Sequence, residues 1–599
     1  MIYHCEDHTC NYWDEGEKLP ERCPQCGRKL LRANEADMTG DDWTALGNTL
    51  WDAEASDKKR MVDCFRKAAY LGSAWGVCNL GICMEQGNGV EADPVQAFWL
   101  YQQAVEMGSL NAVCCLGVCY QYGIGTAPDA EKAAELYCKA AEYGSPRGQM
   151  LLARAFHDGI GVEADAAEAV HWVRAAAYQR YGEGMYRLGV CYEYGDGVEQ
   201  NWEHAVHWFR EAAESGVSVA MADLGYCYEK GCGVEQSWEQ AFSWYRRGAE
   251  CGDLRSMHNL GYCYEKGRGV EQSWEQAFSW YRRGAECGYP VSMSNLGLCY
   301  KRGYGVDQNW QEAIKWYEQG AQCGDLQCMH NLACCYERGE GVEQNEDRAL
   351  YWYRRGAEAG SDYCMYCLGW NYSNGEGVEQ NMTEAIRWYT AAAEGGNADA
   401  MHDLGWHYDH GEGVEQDMKK AICWYERAAE QNHPAAMNSL GECYAMGRGV
   451  PRDLETAMEW YRRAAELGEA MADYNMGWHL EQAGKLSEAY AHYRKAADGN
   501  DDSAWWALGR FYENGVVVAQ DGKEARRCYE TGEKLGSVKC KMRLARCKLL
   551  GIGGRRAKKA GLDLCRQALE LAKESSEKED YGYEAEMNLL RRTIAENES

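Results

Sequence analysis

A Gly-x-Gly pair returns every 36 residues, at Gly87, Gly123, Gly159, Gly195, Gly231, Gly267, Gly303, Gly339, Gly375, Gly411 and Gly447, without a slip. A period this strict specifies stacked copies of one small unit rather than several independent globular cores. The register shortens near Gly484 and resumes at Gly515 and Gly551. A Leu-Gly pair or close variant stands seven residues ahead of each turn, at Leu80, Leu116, Leu152, Leu188, Leu224 and onward. A shorter first copy is anchored at Leu46. Copying also accounts for a composition of 67 Gly against 8 Pro, and of 23 Trp and 41 Tyr against 7 Phe, in 599 residues. Residues 225–252 and 261–288 differ only at Cys232 versus Arg268, so these two copies report the shared scaffold.

One copy reads as two helices. In Ala220 to Lys230 the apolar residues Ala220, Leu224, Cys227 and Tyr228 share one face at helical spacing, and Gly231 stands where a C-cap is needed. After the turn, Ser237 with Gln240 has capping-box spacing, repeated by Asn309 with Glu312 and Asn381 with Glu384. The second helix carries an apolar stripe of Ala241, Trp244, Tyr245, Gly248 and Ala249 before Gly252 ends it. Two helices this short cannot bury their apolar faces alone, and stacking solves the problem. The predicted fold is an all-α solenoid superhelix of about fourteen to fifteen helix-turn-helix copies. Residues 35–75 form an incomplete first copy, 76–554 the regular array and 555–599 capping helices, basic then acidic.

The pattern Leu-Gly-x-Cys-Tyr-Glu-x-Gly-x-Gly-Val-Glu-Gln, followed by Ala-x-x-Trp-Tyr-Arg-x-Ala-Ala-Glu-x-Gly, resembles the Sel1-like repeat over roughly residues 42 to 554. That family is related to tetratricopeptide repeats and is known for superhelices that act as adaptors in protein complexes. The resemblance implies a protein or peptide partner in a concave groove and no chemistry of its own. In tetratricopeptide relatives the residues just before and just after the Leu-Gly pair face that groove. Here the first slot holds Asn79, Asn259, Asn295, Asn331 and Asn475, and the second holds Tyr226, Tyr262, Trp370, Trp406 and Trp478. The plainer alternative is that the asparagines satisfy an adjacent helix and the aromatics widen the stack.

The first 34 residues differ from everything after them. Cys5, Cys10, Cys23 and Cys26 lie close together, and Cys23-Pro24-Gln25-Cys26-Gly27 is a knuckle suited to two thiolates on one tetrahedral ion. The segment resembles zinc-ribbon and rubredoxin-like modules, and the expectation is one structural zinc. Cys5-x4-Cys10 departs from the usual first knuckle, and Cys5-x-x-His8 also has ligand spacing, so His8 competes with Cys10. A module this small has too little core without a staple.

Other motifs carry less. Gly-x-Gly suggests a phosphate loop only where a strand precedes it, whereas each of these follows a helix. Cys83, Cys119, Cys191, Cys227, Cys263, Cys299, Cys335, Cys443 and Cys547 share one slot, where related repeats carry alanine, and read as small packing residues. Cys251, Cys287 and Cys323 form a short separate run. His258, His330 and His402 share a slot, with His407 and His410 nearby, and read as surface histidines. No Ser-His-Asp order suggests an active site, so the expectation is a protein that is not an enzyme.

The net charge of −30 argues against a whole-molecule footprint for nucleic acid or anionic membrane. Residues 539–573 nevertheless carry a net charge of +9. A basic end of this kind can grip RNA, an acidic partner or the protein's own acidic surface, and the rival function is therefore an RNA-associated factor using ribbon and tail. No apolar run reaches membrane-spanning length and the start lacks the layout of a signal peptide, so the expectation is a cytoplasmic protein with reduced thiols.

Overall fold

The structure is a computed structural model, and its described residues are 2–5, 13–15, 30–33, 38–51, 55–578 and 584–598. At the start, Ile2–Cys5 is the central strand of a three-stranded sheet, flanked antiparallel by Trp13–Glu15 and Leu30–Ala33. Everything described from Gly40 onward is built of α-helices and their turns. The chain divides into two units, Met1–Asn309 and Trp310–Ser599.

Within each unit the copy is a leading helix, the Gly-x-Gly turn and a trailing helix, each helix usually 13 residues long. The leading helix Ser218–Lys230 ends at Gly231, whose φ of 75° is left-handed and whose N–H donates to the Cys227 carbonyl. Gly233 is also left-handed, at φ 69°, and a Cβ there would strike the backbone of Trp202 in the trailing helix of the preceding copy. The first glycine therefore ends a helix and the second lets the turn lie on its neighbour.

The trailing helix Trp238–Glu250 starts at Ser237, whose hydroxyl accepts from the Gln240 N–H at 3.3 Å. The capping box expected there forms by half, because the Ser237 N–H donates to the Tyr228 carbonyl at 2.9 Å instead of to the Gln240 side chain. The expected stripe is buried: Ala241, Trp244, Tyr245, Gly248 and Ala249 all face inward.

Consecutive copies are held in register by complementary small residues. Where the trailing helix has Gly248 or Gly284, the next leading helix has Ser256 or Ser292 against it; where it has Ala140 or Ala176, the next has Gly148 or Gly184. One partner of each pair lacks the volume the other supplies, so the helix backbones approach closely without a void. The cysteine slot is core: Cys83, Cys119, Cys227, Cys263 and Cys299 are buried in one unit, and Cys335, Cys443 and Cys547 in the other. Burial pushes the Cys227 thiol up to about 12, which leaves it protonated and inert. Cys251 and Cys287 in the first unit, and Cys323 in the second, are exposed free thiols.

One expectation needs correction. His407 is buried, and His258, His330 and His402 are partly so, rather than surface histidines, because their slot faces the neighbouring copy. His258 lies between the rings of Tyr281 and Tyr289. The basic segment grips the protein's own acidic residues in part, while Arg555, Lys558, Lys559, Arg566 and Lys573 are exposed. Arg543 gives a bidentate pair to Glu586, at 2.6 and 2.7 Å, and a third bond to Glu513. Arg546 also pairs with Glu513, and Arg556 donates to Asn597 at 2.6 Å.

Candidate functional site

The groove candidates lie on the leading helices. In each, Leu and Gly of the Leu-Gly pair point into the core, which turns the residue before and the residue after toward the flanks of the same face. Helical geometry thus repeats two semi-exposed positions once per copy.

The first slot knits neighbouring copies together. Asn79 Nδ2 donates to Asn48 Oδ1 at 2.8 Å, and the Asn295 amide lies 3.5 Å from His258 Nδ1. Asn475 Nδ2 donates to Asn438 Oδ1 at 3.0 Å and to Glu442 Oε1 at 3.2 Å. Asn331 instead accepts from Gln327 Nε2 at 3.1 Å within its own helix, and Asn259 is half-buried. Other residues of the leading helices extend the ladder: Arg255 pairs with Asp223 at 2.9 Å and Tyr366 donates to Asp403 at 3.0 Å, while at the turn Arg448 reaches the buried Asp409 at 2.9 Å. Asn79, Asn295 and Asn475 are thereby tied to the copy before them.

The second slot is more open. Tyr226 is 44% exposed, and Trp370, Trp406 and Trp478 are each 38% exposed, while Tyr262 is half-buried. Trp406 stacks on His410 with ring centres 4.3 Å apart, and Trp478 meets His479 edge-on. The guanidinium of Arg268 sits 5.2 Å from the Tyr262 ring. Rings braced in this way offer large apolar area at little entropic cost on binding.

Sequence reasoning missed what the tyrosine of the trailing helix does. Tyr245 Oη donates to Glu229 Oε2 at 2.9 Å and Tyr281 Oη to Glu265 Oε2 at 2.8 Å, so these glutamates, two residues before their capping glycines, are partly buried acceptors rather than turn carboxylates. The constant spacing of 16 residues between Glu and Tyr was the available signal.

Of the expected metal ligands, His8, Cys10, Cys23 and Cys26 lie outside the described residues, and of Cys5 only the strand backbone is described. Among the described residues no cluster of three or more His, Cys, Asp or Glu is arranged to hold a metal ion. Among them, too, no helix is long and apolar enough to cross a membrane.

The family profile described as Sel1 repeat matches thirteen consecutive segments, from residues 76–109 to 504–537. Among solved structures, a protective antigen present in uropathogenic Escherichia coli strains, displaying an SLR fold, is 32% identical over 75% of this chain and 97% of its own, with a TM-score of 0.51. A Sel1 repeat protein from Oxalobacter formigenes is 26% identical over 51% of this chain and 89% of its own, with a TM-score of 0.40. No curated protein sequence matches the chain.

Proposed function

The chain belongs to the Sel1 repeat family, and from that premise we propose that it is a non-enzymatic adaptor whose leading-helix face holds a peptide or a domain of a partner protein. Sel1 repeat proteins are typically interaction scaffolds, and the observation that supports this role here is one of contrast. The Leu and Gly of each leading helix hardly change from copy to copy, whereas the next position runs through Tyr226, Tyr262, Leu298, Cys334, Trp370, Trp406, Glu442 and Trp478. A scaffold must repeat its packing residues, and a recognition surface gains specificity from varying the rest at fixed geometry.

The RNA-associated alternative draws less support. Arg543, Arg546 and Arg556 of the basic segment are engaged by Glu513, Glu586 and Asn597, which leaves fewer cations for phosphates.

The test is a partner recovered by affinity purification and then measured directly. Trp370→Arg with Trp406→Arg should weaken that partner by about 2 kcal/mol or more, as for buried aromatic anchors, with little change in melting temperature. Unchanged affinity, or early unfolding of the double variant, would remove the groove assignment at these positions.

A further inference from the structure

One copy lacks the ring that fills its neighbours. In the unit Met1–Asn309, Phe65, Tyr101, Tyr137, Phe209, Tyr245 and Tyr281 occupy one register position of the trailing helix, each at most 1% exposed. Each ring lies on a leading-helix glycine: Gly47, Gly81, Gly117, Gly189, Gly225 and Gly261 respectively. In the copy 146–181 the same two positions hold Val173 and Ala153. The methyl gained at Ala153 does not replace the ring lost at Val173, and both residues line a half-enclosed cavity of about 440 Å³. Ala153, Val170, Val173, Val190 and Cys191 line its apolar part. Cys191 is partly exposed, whereas Cys83, Cys119, Cys227 and Cys263 in the equivalent slot are buried.

The polar end of the cavity is matched as well. In the filled copies the tyrosine hydroxyl donates to the residue two before the capping glycine: to Glu85 at 2.6 Å, Gln121 at 2.7 Å, Glu229 at 2.9 Å and Glu265 at 2.8 Å. In the open copy that residue is His157, its ring clamped between Asp158 at 2.6 Å and Asp196 at 3.2 Å. All three line the cavity, so carboxylate oxygens stand at its polar end, beside the residue that takes the place of the sibling acceptor.

We propose that this cavity is a receptor for a tyrosine side chain of a partner protein, the ring resting on Val173 and Val190 and the hydroxyl donating to the carboxylates beside His157. The occupant is read from the molecule itself, because the same backbone encloses a tyrosine ring with a hydroxyl on an acceptor in four other copies of this unit. Apolar cavities left by a missing side chain bind small aromatic molecules of matching size. The inference takes from the scaffold reading only the source of the ring; the cavity stands without it and lies on a different unit from Trp370 and Trp406.

The full chain is tested with N-acetyl-tyrosinamide, N-acetyl-leucinamide and p-cresol, by ligand-observed NMR and by the rate at which iodoacetamide labels Cys191, read by peptide mass spectrometry. N-acetyl-tyrosinamide and p-cresol should bind and slow labelling of Cys191, and N-acetyl-leucinamide should do neither. Val173→Tyr with Ala153→Gly rebuilds the sibling pair, and should abolish p-cresol binding and slow Cys191 labelling at least tenfold. Asp196→Asn should reduce the preference for N-acetyl-tyrosinamide over N-acetyl-phenylalaninamide. Equal p-cresol binding before and after filling, or no protection of Cys191 by p-cresol in the unaltered chain, overturns the proposal even if the filled variant is unstable. Binding of p-cresol without N-acetyl-tyrosinamide overturns the assignment to a side chain and indicates a free phenol.

Discussion

Gly225 lies under the ring of Tyr245 so closely that a methyl in its place would stand 2.5 Å from Tyr245 Cε1. The same contact recurs down the first unit, and it explains why the Leu-Gly pair is the most constant part of each copy. Ala153 is an exception in the first unit, and the second unit contains another. There Ala333 faces Tyr353, and the Tyr353 hydroxyl is 3.3 Å from Glu337, against 2.6 to 2.9 Å for the equivalent bonds of Tyr101, Tyr137, Tyr245 and Tyr281. The Tyr353 hydroxyl also lies 3.4 Å from Cys334 Sγ.

Gly225→Ala should therefore destabilise the first unit by about 1–2 kcal/mol, the cost of overpacking a close contact. Urea unfolding followed by circular dichroism checks this, and an unchanged midpoint would show that the ring can move freely.

The last helix, Glu584–Glu598, is tied to the array through Glu586, which accepts from Arg543 and from Trp506 Nε1 at 3.2 Å. Glu586 and Arg543 are both largely buried, at 7% and 14% side-chain exposure. Glu586→Ala leaves a buried guanidinium without its main partner and should cost about 3 kcal/mol. Hydrogen exchange should register it as faster exchange in Val538–Leu550 and in the last helix, with the first unit unaffected.

Burial between Tyr281 and Tyr289 pushes the His258 ring down to about 4, with Glu265 opposing in part. The unfolded chain takes up this proton below its ordinary value near 6.5, whereas the folded chain does not until near 4. The contribution is therefore complete above pH 6.5 and is lost as the pH falls toward 4, by about 3 kcal/mol at most. Stability of the parent and of His258→Asn, measured between these limits, should diverge in slope, the variant being flatter; parallel curves would remove His258 as the cause.

If the N-terminal cysteines hold zinc as their spacing predicts, elemental analysis should find about one zinc per chain. Cys23→Ser should release it while the helical signal persists, since contacts in a repeat array are local. Full retention of zinc in that variant would exclude Cys23 as a ligand.

The repeat length, both helices of each copy, the capping glycines and the buried stripe were legible in the sequence, because period and cap chemistry are local and a helix needs only its own residues to declare its face. The two groove slots could be placed on that face for the same reason. What the sequence did not decide is how those side chains are satisfied, since Asn475 to Asn438 or Arg543 to Glu586 joins residues from different copies. The cavity beside Val173 shows the difference most sharply. Val173 reads as one more apolar residue in a helical stripe, and only the tertiary structure places it with Ala153 on the wall of an open cavity, because which side chains share a wall depends on how neighbouring copies stack.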